Sequence, residues 1–134
     1  MAASNKFDHL GFTVSDIARS KAFYEHALAP LGIGLVWEVT PEMTGGHAHV
    51  GYGHDGKPYF WIGNGDGALR GKLHVAFAAA NRAVVDAFYQ AAIAAGGVDN
   101  GAPGLRPHYH THYYGAFVLD PDGHNIEACC HLPE

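Results

Sequence analysis

Apolar and polar residues alternate strictly near the start of the chain. Across residues 7–14, the apolar side carries Leu10, Phe12 and Val14, and the opposite side begins with His9. A period of two is typical of a strand with one buried face. This pattern predicts a strand whose apolar side packs on the rest of the protein.

Helical and turn signals follow this strand. Ser15 or Asp16 can cap a helix, and Gly32 is placed to end it. Further strands are predicted at residues 34–39, 47–53 and 57–62. The second half of the chain predicts a strand at 73–78, a helix at 81–95, a Gly- and Pro-rich loop at 96–107, a strand at 113–119, a turn at 120–123 and a last strand at 124–131.

The two halves repeat one another. A shift of 65 residues places residues 9–33 on residues 74–98 without a gap, and nine of the 25 pairs are identical, among them His9 with His74. Such a period predicts two copies of one structural unit. We therefore expect a single α+β domain over residues 1–134, made of modules at about 5–66 and 72–131.

Alternation also decides which side chains face away from the helices. In the last strand, Ile126 and its neighbours at every second position are apolar, which leaves Glu127 on the side that His9 and His74 share. An unpaired carboxylate inside a protein is costly. Two imidazoles and one carboxylate are ligands typical of Fe(II) and other catalytic divalent metals. The alternative is that Glu127 lines a wet cleft and the histidines are ordinary strand residues.

Composition narrows the functional classes. The formal net charge is −5 with His neutral, which argues against a nucleic-acid partner. No apolar run approaches the roughly 18 residues of a membrane span, and the first residues lack a signal-peptide core. Cys129 and Cys130 are adjacent, so a disulfide between them would be strained. We expect a cytoplasmic protein with a small-molecule substrate.

Other polar and aromatic residues are candidates for substrate contact, each with a simpler structural alternative. His110 is the candidate general acid or base because imidazole titrates near neutral pH. The run that contains it forms either a lid or a polar loop over the cavity mouth. Candidate substrate-binding residues are His47, His49, Tyr59, Trp61, Arg106, His108, His112, Tyr113, Phe117 and Cys129.

Three segments together resemble the vicinal oxygen chelate superfamily, which includes glyoxalase I, fosfomycin- and bleomycin-resistance proteins and extradiol dioxygenases. They are residues 7–16 (FDHLGFTVSD), 72–77 (KLHVAF) and 120–127 (DPDGHNIE). The resemblance implies two βαβββ modules whose curved mixed sheet surrounds a cavity. It also implies one divalent metal ion, such as Fe, Ni, Zn or Mn, on His9, His74 and Glu127.

The sequence departs from two branches of that superfamily. Proteins resembling glyoxalase I supply a fourth ligand from the last strand of the first module, where this chain has Trp61 as the nearest counterpart. Ring-cleaving dioxygenases carry a hydrophobic-Tyr pair where this chain has Ala116 and Phe117, although Tyr113 or Tyr114 could supply the phenol.

The resemblance implies a small metal-dependent enzyme. The expected activity is that of a glyoxalase-like lyase or isomerase acting on a small oxygenated substrate. The alternatives are an extradiol-type dioxygenase and a non-catalytic, drug-sequestering binding protein. A homodimer is expected, and the sequence leaves open whether His9 meets His74 and Glu127 within one chain or across two.

Overall fold

A computed structural model describes residues 6–65, 67–71 and 73–134. The predicted module boundaries at residues 5, 66 and 72 lie outside these residues. The strands are β1 (Leu10–Thr13), β2 (Gly34–Val39), β3 (His49–His54), β4 (Lys57–Gly63), β5 (His74–Ala78), β6 (Val98–Leu105), β7 (Tyr114–Leu119) and β8 (Asn125–Cys130). The helices are α1 (Ile17–Leu28), α2 (Pro41–Thr44) and α3 (Arg82–Ala94), and a 3-10 turn (Ala29–Leu31) follows α1.

The strands form two mixed sheets with the same topology. One sheet has the order β1-β4-β3-β2 and the other β5-β8-β7-β6. β1 is parallel to β4, and β5 is parallel to β8. The other neighbouring strands are antiparallel. We call the half built on the first sheet the N-module and the half built on the second the C-module. The predicted α+β class with two βαβββ units is confirmed.

The region predicted as a loop at 96–107 contains a strand instead. Residues 98–105 form β6, which pairs with β7 through two irregularities, between Asp99 and Gly101 and between Gly101 and Gly104. β6 lies at the sheet edge, where Pro103 needs no partner for its missing N–H. Its turn-forming residues and irregular pairing erase the alternation by which strands are recognised, and this explains the wrong prediction.

The long helices begin at the caps that their sequences provide. The Asp16 side chain accepts a hydrogen bond from the Arg19 N–H at 3.1 Å, and Asn81 accepts one from the Val84 N–H at 2.9 Å. Ser15, the other candidate cap, donates its hydroxyl to Asp122 at the far end of the chain. Side-chain capping of this kind satisfies backbone donors that a helix start leaves free.

One apolar core joins the two modules through their helix-bearing sides. Phe60 of the N-module and Phe77 of the C-module meet edge to face with centroids 5.2 Å apart. Gly97 lies so close to the other module that a Cβ there would stand 2.9 Å from Phe23 Cε1. Close packing on Phe23, and on Val118 of its own module, therefore requires glycine at residue 97. The opposite sides of both sheets therefore face away from the shared core.

No helix in residues 6–65, 67–71 and 73–134 is long and apolar enough to cross a membrane. The expected cytoplasmic location stays a prediction.

A buried hydrogen bond also ties the modules together. The Tyr24 hydroxyl on α1 donates to the Asp120 carboxylate at 2.5 Å, and both residues are buried. We expect Tyr24→Phe to lower the free energy of unfolding by about 1.5–3 kcal/mol, because it leaves a buried carboxylate oxygen without its donor.

Tyr52→Phe is the matched control, measured beside Tyr24→Phe by urea denaturation. The buried Tyr52 hydroxyl donates only to the Lys21 carbonyl, at 3.3 Å, so its removal should cost about 1 kcal/mol or less. Equal losses in the two variants would contradict the special role of the Tyr24–Asp120 bond.

Candidate functional site

β8 presents opposite chemistry on its two sides, as the alternation predicts. Ile126, Ala128 and Cys130 belong to the shared core. Glu127 and Cys129 lie on the other side, which we call the C-module face, together with the residues paired beside them on β5 and β7. Glu127 is only 1% exposed, so its carboxylate needs compensation from its neighbours.

His74 and Glu127 are brought together on the C-module face. His74 Nε2 lies 3.0 Å from Glu127 Oε1. Nδ1 of the same imidazole lies 3.1 Å from the Asn125 carbonyl oxygen, to which it can donate. A neutral imidazole has one N–H, so this bond leaves Nε2 with a lone pair directed at the carboxylate oxygen. A proton or a cation is required to make that contact favourable.

The second carboxylate oxygen of Glu127 is occupied by a phenol. The Tyr113 hydroxyl donates a hydrogen bond to Oε2. Burial, reinforced by this bond to Glu127, raises the pKa of Tyr113 well above its ordinary value, so the phenol keeps its proton. A Cβ at Gly115 would stand 3.1 Å from both Glu127 Oε2 and the Tyr113 ring. A side chain at residue 115 would therefore crowd this pair.

Phe117 and Arg106 border the His74–Glu127 pair. The Phe117 ring stacks on the His74 imidazole, with centroids 6.2 Å apart and planes inclined by 24°. The Arg106 guanidinium carbon lies 5.4 Å from the centre of Phe117. Arg106 also donates to the Gly104 and Ala102 carbonyls at 2.9 and 2.7 Å. Its side chain thus supports the irregular strand β6 as well as covering Phe117.

The histidine-rich segment between β6 and β7 forms turns rather than an extended strand. Its His110 ring lies 5.5 Å from His131, and His131 lies 4.9 Å from Tyr113, all between centroids. These rings form a row from the exposed His110 to the phenol on Glu127. The His108 ring contacts the Tyr109 ring at a tilt of 53°, with centroids 4.3 Å apart, and the backbone N–H of His112 donates to His110 Nδ1 at 3.3 Å.

Cys129 lies within the same face as a free, buried thiol. Burial raises the pKa of this thiol, and its sulfur is 3.9 Å from His131 Nε2. A thiol of raised pKa is a weak nucleophile at neutral pH. This environment favours Cys129 as a lining residue.

His9 interacts with other residues of the N-module. It is exposed at the start of β1, and its Nδ1 is 2.7 Å from Asp8 Oδ1, which also accepts from Lys57 at 2.6 Å. Within the described part of one chain, no three His, Cys, Asp or Glu side chains come close enough to hold a metal ion. The His9, His74 and Glu127 site thus stays a prediction.

A large open cavity links His9 to His74. Its volume is about 860 Å³, and it runs along β5, one of the two edge strands of the second sheet. The cavity is lined by residues 7–10, Leu31, Ile33, His54, Lys57, Tyr59, Phe60 and residues 74–78. It is large enough for a drug-sized ligand.

Tyr59 and Trp61, which strict alternation would place on one side of β4, line different cavities. The pairing of β3 with β4 is irregular between Tyr52 and Gly53, and Tyr59 lines the large cavity with its hydroxyl 2.7 Å from His54. Trp61 lines a second cavity of about 260 Å³, together with His49. His47 is exposed outside β3.

Sequence reasoning missed Trp37, which is 55% exposed on β2. It pairs with Gly51, and Gly51 pairs with Trp61, so both indoles start on the same side of the N-module sheet. Alternation along residues 34–39 could have placed it there, but an irregularity between Leu35 and Trp37 interrupts that pattern.

Comparisons with known proteins agree with this fold. A family profile described as the Glyoxalase/Bleomycin resistance protein/Dioxygenase superfamily matches residues 6–128. A solved glyoxalase/bleomycin resistance protein from Albidiferax ferrireducens T118 is 31% identical with a TM-score of 0.77, and the match covers 96% of this chain and 100% of that one. No curated protein matches the sequence.

Two more distant structures share the fold. Glyoxalase I from Zea mays has 19% identity and a TM-score of 0.70, with 98% of this chain and 46% of that chain covered. A mutant of FosX, the fosfomycin resistance protein of Listeria monocytogenes, solved with Mn(II) and 1S,2S-dihydroxypropylphosphonic acid, has 18% identity and a TM-score of 0.66, covering 96% and 92%. Given the profile match over nearly the whole sequence, the chain belongs to the Glyoxalase/Bleomycin resistance protein/Dioxygenase superfamily.

Proposed function

We propose that the protein is a metal-dependent vicinal-oxygen-chelate enzyme, a glyoxalase-like lyase or isomerase of a small oxygenated substrate. The observation that carries the proposal is the approach of His74 Nε2 to Glu127 Oε1 at 3.0 Å. Two ligand atoms each about 2.1 Å from one cation, at a right angle, are about 3.0 Å apart. The donor atoms of this pair fit a divalent metal.

The surroundings of the pair support the same interpretation. A metal-binding histidine usually donates its other N–H to a carbonyl or carboxylate, which fixes the ring and leaves one lone pair for the metal. His74 is placed to do so through Asn125. Tyr113 occupies Glu127 Oε2, so the carboxylate can offer Oε1 alone. His74 and Glu127 therefore form one half of the proposed site.

We assign the third ligand to His9 of a second copy of the chain. His9 and His74 occupy equivalent positions in the repeat. His9 directly precedes β1, and His74 is the first residue of β5. Each of these strands lies at the open edge of its sheet, beside the large cavity. A two-fold pair of chains would cover both edges and complete two sites at once.

The bound metal would supply Lewis-acid stabilisation of negative charge that develops on substrate oxygen atoms. Residues of the chain itself would orient the metal-binding carboxylate and move the substrate proton. Tyr113 fixes the Glu127 carboxylate and excludes water from Oε2. The row of His110, His131 and Tyr113 leads from solvent towards that carboxylate, which makes His110 the candidate for moving a substrate proton.

A ring-opening dioxygenase is the second candidate. Trp61 takes the place of a fourth ligand, which leaves three ligands and open positions, as in Fe(II) oxygenases. Tyr113 also places a phenol beside Glu127. Oxygen uptake with a panel of catechols under Fe(II) supports this candidate, whereas loss of a methylglyoxal–glutathione hemithioacetal supports the first.

Removing half of the proposed site should abolish metal binding. We expect His74→Ala to lose stoichiometric binding of Mn(II), Ni(II), Zn(II) and Fe(II) in equilibrium dialysis, while circular dichroism stays unchanged because His74 is exposed. His112→Ala is the control, since His112 belongs to the histidine-rich segment. Loss of binding in His112→Ala but not in His74→Ala would move the metal to that segment; no binding by wild type would favour a binding protein without catalysis.

A mixing experiment tests the division of the site between two chains. His9→Ala and His74→Ala should each lack metal when pure. After unfolding and refolding together at equal concentration, about one quarter of the sites should recover, because half of the dimers are mixed and each has one intact site. A site within one chain recovers none, since every chain then carries a defect.

Tyr113→Phe tests the role of the phenol. We expect about 10- to 100-fold weaker metal binding by calorimetry, because the carboxylate loses the partner that fixes it. Tyr114→Phe is the matched control, as the Tyr114 hydroxyl donates to Asp86 at 2.7 Å. Equal affinities in wild type and Tyr113→Phe would show that the phenol does not orient Glu127.

A further inference from the structure

The side of the N-module sheet that faces away from the core is built from rings and glycines. One row of paired residues crosses all four strands: Trp37, Gly51, Trp61 and Gly11. The next row contains His49, Gly63 and Thr13. We call this surface the N-module face. Directly paired residues point to the same side of a sheet, so Trp37, Trp61 and His49 lie on this face, and Val39 lies beside His49.

The glycines are required by the rings that lie on them. A Cβ at Gly51 would stand 2.9 Å from Pro58 Cβ and from the Cε2 and Cη2 atoms of Trp61, both in the six-membered part of the indole. A Cβ at Gly63 would stand 2.5 Å from His49 Nδ1. Any larger residue at either position would push the ring off the sheet. The sequence of β3 and β4 therefore keeps these rings against the backbone.

The residues of the N-module face are not part of the apolar core. The core-facing residues of the same strands are Val50, Tyr52, Phe60 and Ile62, all buried. Trp61 is half-buried and Trp37 is 55% exposed. Large apolar side chains that remain exposed together indicate an interaction site. The indoles are thus available to something outside the N-module.

The N-module face also contains the smaller cavity. Its volume is about 260 Å³, and Gly11, Thr13, His49 and Trp61 are among the lining residues. None of the described lining residues is Asp, Glu, Lys or Arg. A neutral, ring-lined recess suits an uncharged planar group rather than an ionic one.

Strand pairing relates this recess to the proposed metal site. Trp61 pairs with Gly11, two residues after His9, and Glu127 pairs with Ala76, two residues after His74. Trp61 therefore occupies in the N-module the position that Glu127 occupies in the C-module. A pairing of chains that brings His9 to His74 and Glu127 would therefore bring Trp61 to the same site.

We propose that the N-module face binds a planar, unsaturated ring of the substrate, with the Trp61 indole as its main stacking surface and Trp37 beside it. This inference rests on the proposed function, because the metal-binding half holds the oxygen-bearing end of the same molecule. The substrate class is then an aromatic compound with an oxygen chelating group attached to the ring. Small aliphatic chelators lack the part that Trp61 recognises.

Benzohydroxamate and acetohydroxamate test this specificity, since they share one chelating group and differ in a phenyl ring or a methyl group. Calorimetry on the Mn(II)-loaded protein should show about tenfold tighter binding of benzohydroxamate by wild type. Trp61→Leu should abolish the preference without changing acetohydroxamate binding, and Trp61→Phe should retain most of it. An unchanged preference in Trp61→Leu, or the absence of one in wild type, overturns the inference.

The same probes separate this inference from the metal proposal. If binding of both hydroxamates is independent of Mn(II), the metal-dependent function fails. The ring site is then tested by fluorescence in the metal-free Trp37→Phe variant. The sequence has two tryptophans, so in this variant Trp61 is the single indole. Fluorescence quenching by benzohydroxamate at concentrations where acetohydroxamate has no effect supports the ring site, and equal behaviour of the two probes overturns it.

Discussion

The arrangement of the C-module face depends on the burial of one carboxylate, that of Glu127. Glu127 is 1% exposed and lies in a strand whose alternate residues belong to the core. It cannot turn towards water without disrupting β8, so its two oxygens must find partners nearby. Tyr113 satisfies one oxygen, and His74 approaches the other. Gly115, by lacking a side chain, makes room for this arrangement.

The two modules of the repeat have the same topology but different outer faces. Both modules share strand order, and their equivalent phenylalanines Phe23 and Phe88 lie in one core. Joining the modules through their helices leaves both outer faces free. One face carries an acid with its hydrogen-bond partners, and the other carries indoles on glycines. Because the two faces differ in this way, we interpret them as complementary halves of one site rather than as two separate sites.

Sequence alone predicted the features that depend on local alternation. The positions of Ile126 and Glu127 on opposite sides of β8 followed from a period of two. β6 was missed because its glycines and Pro103 hide that period, and an irregular pairing separated Tyr59 from Trp61. The relation of His9 to His74 depends on how whole modules dock, which no local pattern encodes.

The matched register of Trp61 and Glu127 has an evolutionary consequence. Because β4 and β8 hold equivalent places in the two modules, mutations in β4, which is proposed to recognise the substrate, leave unchanged the residues of β8 that are proposed for chemistry. Selection can act on recognition and reactivity as separate inherited modules. A scaffold of this kind is expected to diversify its repertoire quickly without losing its fold.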